Sequence, residues 1–244
     1  MLYQSELRNR DATIVRSNRA LDRCADCPAR RDGLCAHIPA SVLAEFSTHG
    51  AHYQFRRGET YIWEGEPNMT VGQVLTGAFR FVITSPDGQE RTVGLALPGD
   101  FIGDPFGGVA VASLVALGAA SVCAIDQSRI DTIIRQSPET GRALLRRTIG
   151  DLDRARRWIL LLGCRSATKR VATLLCELAA RHSGGADSRI DLPFSRSEMA
   201  DVLGLTIETV SRKLHALVRG GGIALPDTKG FIVRDTEALH RAAS

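Results

Sequence analysis

The chain has 244 residues, 44% hydrophobic and 24% charged, the balance of a globular protein long enough for two domains. No stretch of about 20 uninterrupted apolar residues reads as a membrane span; the most apolar region, "FIGDPFGGVAVASLVALGAASVCAI", is broken by Asp104 and Pro105. The formal net charge of +4 is unevenly placed, with 13 Lys/Arg against 15 Asp/Glu up to Pro138 and 18 against 12 after it, so the second half suits a polyanion.

The first twenty residues carry charge throughout and lack the apolar centre of a signal peptide, so the expected location is the cytoplasm, where thiols stay reduced. "CADCPARRDGLC" follows, and it places three of the six cysteines, Cys24, Cys27 and Cys35, within twelve residues. Read alone, the cluster allows a disulfide, a zinc site, an iron–sulfur site or a thiol switch. A Cys3His zinc set would add His37, although Cys35 and His37, separated by one residue, make a cramped pair. His37, His49 and His52 read as surface or loop residues.

From about Tyr53 to Ile130, short apolar stretches alternate with glycine turns: "RRGETYIWEGEP", the Pro86-Asp87-Gly88 turn and Pro98-Gly99-Asp100. Strands over Ala78–Ser85 and Arg91–Leu97 fit between them. Short strands at this spacing indicate an all-β sandwich or barrel. After Pro138 the period becomes helical. Leu145, Thr148, Leu152, Ala155, Ile159 and Leu162 recur at spacings of three and four, the seam of a dimer helix of about 25 residues. Arg142, Arg146, Arg147, Arg154 and Arg157 lie off that seam. A second helix, about Ala167 to Arg181, is capped by Ser166, carries the apolar stripe Val171, Leu174, Leu175 and Leu178, and stops at His182-Ser183-Gly184-Gly185. Cys164 and Cys176, in helical apolar settings, read as small hydrophobes.

"FSRSEMADVLGLTIETVSRKLHALVRGGGI" has the pattern of a helix–turn–helix. Ser195 and Glu198 form a capping box, Gly204 ends the first helix, and Thr206 caps the second. Ile207, Val210, Leu214, Leu217 and Val218 are expected to face the core. Glu208, Ser211, Arg212 and His215 share the opposite face, which starts in the first turn, where recognition helices reach base edges. Arg212 suits O6 and N7 of guanine, Glu208 suits the amino group of cytosine, and Ser211 permits close approach. Lys213 and Arg219 suit phosphates. The plainer alternative is a solvated face with an intrahelical Glu208–Arg212 pair. "IAL" and "GFIV", around Pro226-Asp227-Thr228-Lys229, read as a β-hairpin wing.

In this order, a β-roll, a long dimer helix and a winged helix–turn–helix resemble the CRP/FNR superfamily of transcription regulators. "RRGETYIWEGEP" and "LPGDFIG" look like the turns of its sensor domain, and "LGLTIETVSRKL" looks like its recognition helix in the FNR version, through Glu208, Ser211 and Arg212. The resemblance implies an α+β chain with an N-terminal cysteine-bearing arm (1–40), a cyclic-nucleotide-binding-like β-roll (41–138), a dimerisation helix (139–163) and a winged helix–turn–helix (164–244). It implies a homodimer that binds double-stranded DNA at a TTGAT-N4-ATCAA-like palindrome and touches RNA polymerase through "TSPDGQE", Thr84–Glu90. The cAMP-binding members hold the cyclic phosphate with an Arg-Ser/Thr pair after this turn, whereas no Arg or Lys lies here between Asp100 and Arg129, so no cAMP is expected.

The resemblance also supplies a fourth cysteine. FNR holds an oxygen-labile [4Fe–4S] cluster with three N-terminal cysteines and one late β-roll cysteine; carried over, the ligands are Cys24, Cys27, Cys35 and Cys123. Leu34 would shield the cluster, and Asp26, Arg30 and Arg31 are nearby charges. Asp151 and Asp153, meeting their copies across a two-fold axis, would hold the dimer near balance. The alternatives are a cluster-free FixK-like regulator with a zinc or thiol site and an iron–sulfur electron-transfer protein.

Overall fold

The computed structural model describes residues 13–15, 24, 27, 33–163, 166–182, 184 and 187–244. The arm's Asp26, Arg30 and Arg31, Cys164, and Ser183 and Gly185 of the helix stop lie outside the described residues. The chain forms two compact units, 1–154 and 155–244. The division falls inside the long helix and not at residues 138 or 163, so that helix contributes to both units.

The first unit contains two antiparallel sheets. One runs in the order β1 (Thr13–Val15), β2 (Ala51–Phe55), β9 (Ala120–Asp126), β4 (Thr70–Thr76) and β7 (Phe101–Ile102). The other runs β3 (Thr60–Ile62), β8 (Ser113–Ala116), β5 (Phe79–Thr84) and β6 (Glu90–Ala96). The predicted strands agree with β5 and β6 to within a residue or so. Tyr53, Phe55, Tyr61, Val74, Phe79, Leu114 and Val122 form the main apolar core, with Phe55 set edge-on to both Tyr61 and Phe79. A smaller core forms where α1 (Ala40–His49) and α2 (Gln127–Gln136) bring Val42, Phe46, Ile130 and Ile133 onto Val71 and Ile125. Helix α1 and strand β1 are not anticipated by the sequence reading: neither has a strong periodic or capping signal.

Helix α3 spans Pro138–Gly163. Proline suits the first helical position, where its missing N–H has no helical partner, and Ser137 Oγ accepts from Thr140 N at 3.3 Å. The β-roll is fastened to α3 by Asp100, which is buried. Its Oδ1 accepts from Arg147 Nη2 at 2.5 Å and from Arg154 Nη2 at 3.3 Å, while Oδ2 accepts from Leu97 N at 2.9 Å. Arg147 Nη2 also donates to Gly99 O at 2.6 Å, and Gly99 takes the φ of +89° that the turn requires. Asp151 pairs with Arg147 at 3.8 Å and with Arg154. Of the two carboxylates expected to meet their copies beside Leu152, Asp151 is thus ion-paired within its own chain.

In the second unit, α4 (Ala167–Ala180) is capped by Ser166, as expected, and the C-terminal helix α7 (Thr236–Ala243) packs on it. Helices α5 (Arg196–Leu203) and α6 (Ile207–Arg219) form the helix–turn–helix. The wing is β11 (Ile223–Ala224) against β12 (Gly230–Val233), with β10 (Arg189–Asp191) as a further strand on the other side of β12.

Asp100→Ala leaves Arg147 and Arg154 without their buried anion, and removing one partner of such a pair costs about 3–5 kcal/mol. Urea unfolding should show a loss at the low end of that range, because Asp151 remains.

Candidate functional site

The four predicted cysteines come together. Cys24, Cys27, Leu34, Cys35, Leu43, Phe46, His52, Gln73, Phe101 and Cys123 line one cavity in the first unit, with about 470 Å³ of atom-free space that is partly open to solvent. Its floor is one lateral row across the larger sheet. Cys123 on β9 lies opposite His52 on β2 and Gln73 on β4, and Gln73 lies opposite Phe101 on β7. Directly opposed residues point to the same face of a sheet. The neighbours of Cys123 on its own strand, Val122 and Ala124, point into the main core, so Cys123 emerges on the other face.

The Leu34–Ala36 turn brings Cys35 over this row, and Leu34 is buried beside it. Gly33 makes the approach possible: a Cβ there would stand 1.3 Å from Gln73 Nε2. One histidine assignment changes. His52 is not a surface or loop residue but lies on β2 and lines the cavity. His37, the fourth member of the zinc alternative, does not line it; it borders a second cavity with Gly33, Leu34, Glu139, Arg142, Ala143, Arg146 and Arg147. Leu34 therefore stands between the cysteine cavity and the first turns of α3. Among the described residues no three His, Cys, Asp or Glu side chains stand close enough to hold a single metal ion; the cysteines surround a shared space, not one point. Burial pushes the Cys176 thiol up, away from thiolate chemistry, which agrees with its reading as a small hydrophobe.

On α3, Leu145, Leu152 and Ile159 are half or more exposed, and Thr148 and Ala155 of the predicted seam are exposed with them. Leu162 is partly covered. The stripe also includes Ile149, 54% exposed, which the strict alternation of three and four passed over in favour of Thr148.

The recognition helix is built by local rules. Ser195 and Glu198 form both halves of the capping box, and Gly204 ends α5 in the left-handed conformation at φ +60°. Arg170 ties the α5 end in place by donating to Leu203 O at 2.9 Å and to Leu162 O at 3.3 Å. Thr206 Oγ1 caps α6 through Thr209 N at 3.3 Å. Val210, Leu214 and Leu217 are buried as expected, but Ile207 and Val218 are exposed at 44% and 36%, at the two ends of the helix where the core no longer reaches. Glu208, Arg212 and His215 are exposed, with Ser211 and Lys213 partly covered. Arg212 donates to Thr209 Oγ1 at 3.5 Å and not to Glu208. The Glu208 backbone N–H and the Thr206 hydroxyl hold the Glu208 carboxyl below the usual range, so it stays an acceptor.

Residues 169–242 match the Crp-like helix-turn-helix domain and residues 53–137 match the cyclic nucleotide-binding domain. The chain is 37% identical over 229 residues to the transcriptional activator protein FnrL of Cereibacter sphaeroides, covering 91% of this chain and 92% of that protein. It is 38% identical over 204 residues to the nitrogen fixation regulation protein FixK of Bradyrhizobium diazoefficiens, covering 83% and 86%. Its fold is similar to that of FixK2 from Bradyrhizobium japonicum, with a TM-score of 0.70 and 32% identity, covering 80% of this chain and 98% of that one.

Thr206→Ala removes the α6 cap and should lower the stability of the second unit by about 1 kcal/mol. Thermal unfolding of the full chain, followed at that unit's transition, checks this.

Proposed function

The chain belongs to the CRP/FNR family of transcription regulators, and from that membership we propose that it is an oxygen-responsive FNR-type regulator whose Cys24, Cys27, Cys35 and Cys123 hold a [4Fe–4S] cluster. Membership makes it a DNA-binding regulator and not an enzyme. The observation that carries the cluster reading is the common cavity: thiols from the arm, the Cys35 turn and β9 face one space walled by Leu34, Leu43, Phe46 and Phe101. That donor set fits a cubane, which takes one thiolate per iron. It leaves out His37, the fourth member of the zinc alternative, which lies on the other cavity. When bound, the cluster supplies four iron–thiolate bonds and an oxygen-labile core.

The residues around it provide the coupling. Cys24, Cys27 and Cys35 bring the arm onto the face of β9, and Leu34 and Phe101 keep water from the thiolates. The Gly33–Leu34 turn also borders Glu139, Arg142, Ala143 and Arg146 of α3, so holding the turn biases the helix that carries Leu145, Ile149, Leu152 and Ile159. A second copy of the chain covers that stripe. A ligand shifts such an equilibrium only by its preference between the two states, and the cysteines provide that preference. The dimer sets two α6 helices about one DNA turn apart, about 34 Å, on a TTGAT-N4-ATCAA-like palindrome in the cytoplasm. Arg212 reads guanine, Glu208 reads cytosine, Ser211 makes a close hydroxyl contact, and Thr206 and Lys213 meet the backbone.

The exposed Thr84–Glu90 turn, where Ser85 Oγ and Asp87 are hydrogen-bonded, is the surface offered to RNA polymerase. Cyclic AMP is not the effector: the segment after Asp100 has no cation for a cyclic phosphate up to Arg129.

Anaerobic purification should give a coloured protein with about four irons and four sulfides per chain, bleached by air; a colourless, iron-free chain that binds DNA equally with and without oxygen would establish the FixK-like alternative. Cys123→Ser should abolish anaerobic DNA binding and Cys176→Ser should leave it intact; equal behaviour of the two refutes the ligand set. Ile159→Glu should shift the anaerobic protein to monomer in sedimentation while leaving its iron content unchanged. Arg212→Ala should weaken binding by about 1–3 kcal/mol and relax the preference for guanine in a competition assay, whereas a uniform loss on all sequences would make Arg212 a phosphate contact.

A further inference from the structure

Two polar side chains in the cysteine cavity belong to neither the ligand set nor its apolar wall. His52 and Gln73 flank Cys123 on the two neighbouring strands, directly opposite it in register. Both line the cavity. Gln73 is 4% exposed and is the one buried carboxamide among the described residues. It lies on the face where its strand neighbour Val71 and the nearby Ile125 of β9 are packed into the small core. A buried amide in such a place is costly unless it makes hydrogen bonds, so packing alone does not explain it. Gly33 supplies the room for it, since any Cβ there would collide with Gln73 Nε2.

From this juxtaposition we infer that His52 and Gln73 are N–H donors to the sulfur atoms of the Cys123 end of the site and set the midpoint potential there. The inference rests on the cluster reading above and goes beyond it, because neither residue is a ligand. An imidazole offers at least one N–H in either protonation state, and a carboxamide offers two. Hydrogen bonds to thiolate or sulfide draw electron density from sulfur, stabilise the more reduced state and raise the potential. Two donors on opposite sides of a single ligand, both fixed to the sheet, act on one edge of the site. The role is positional and electronic: it requires that His52 and Gln73 change what the bound group does and not whether it binds.

The test uses the full chain purified without oxygen. His52→Leu and Gln73→Leu should each keep the iron and sulfide content of the parent chain, shift the midpoint potential negative in a dye-mediated titration, and raise the iron–sulfur stretching frequencies in resonance Raman spectra. The double variant should shift further than either single one. A second measurement needs no substitution. In the reduced parent chain labelled with ¹⁵N-histidine, pulsed EPR should detect a histidine nitrogen coupled to the cluster, and His52→Leu should remove that coupling. Unchanged potentials and Raman frequencies in both variants, with cluster content preserved, overturn the inference, as does the absence of any histidine coupling in the labelled parent. If the parent chain itself binds no iron, the cluster reading falls first and this inference with it, so the two failures are told apart.

Discussion

The pleat of β9 is the constraint on which the first unit depends. This strand lies between β2 and β4, and its side chains must alternate between two faces. Val122 and Ala124 fill the main core, so Cys123 is obliged to point the other way, into the cavity. A one-residue slip would bury the thiol and expose Val122. The apolar sequence of β9 therefore specifies two things at once, the packing of the barrel and the face on which the cysteine stands. Ile125, two residues on from Cys123, returns to an apolar setting under α1 and α2. The cavity thus lies beside the small apolar core on the same outer face.

A second constraint turns this local arrangement into one that involves the long helix. Asp100 is a buried carboxylate, and a buried carboxylate requires partners. It has them in Arg147 and Arg154, which are two helical turns apart on one face of α3, and in the Leu97 amide. The pairing fixes the rotation of that part of α3 against the β-roll. With one face of the helix committed to Asp100, the stripe of Leu145, Ile149 and Leu152 is directed elsewhere and left uncovered. The charge pattern off the predicted seam thereby acquires a purpose: Arg147 and Arg154 do not merely solvate the helix but orient it. Asp151 belongs to the same network, which is why it does not act as a free negative charge beside Leu152.

What the sequence made legible is what is decided within a few residues. The capping box at Ser195 and Glu198, the left-handed Gly204 and the Thr206 cap are all local chemistry, and the helix–turn–helix followed from them directly. The hairpin strands were legible for the same reason, because their turns are written in glycine, proline and aspartate. Cys123 required the family resemblance, since nothing local marks it. His52 was misread because a lone histidine beside "HG" carries no signal of its strand neighbours; only the β2–β9 register brings it to Cys123. Ile149 was missed because a strict seam forces a choice between adjacent positions, whereas an exposed single helix shows a broader stripe. Ile207 and Val218 were assigned to the core by periodicity alone, but the core of a short helix fades at its ends.

The polar face of α6 shows how a recognition surface can be kept available. An exposed glutamate and an arginine four residues apart ordinarily attract each other, and the pair would occupy both groups. Here the backbone N–H of Glu208, at the helix N-terminus, and then Thr206 hold the Glu208 carboxyl below its usual range, while Thr209 accepts from Arg212. Thr206 and Thr209 are themselves linked at 3.1 Å. Each charged side chain is held by a weak neutral partner, and releasing it demands less than breaking an ion pair would. The threonines at the start of α6 therefore do two things at once: Thr206 caps the helix where the turn ends, and Thr209 takes the Arg212 guanidinium that an intrahelical ion pair with Glu208 would otherwise occupy.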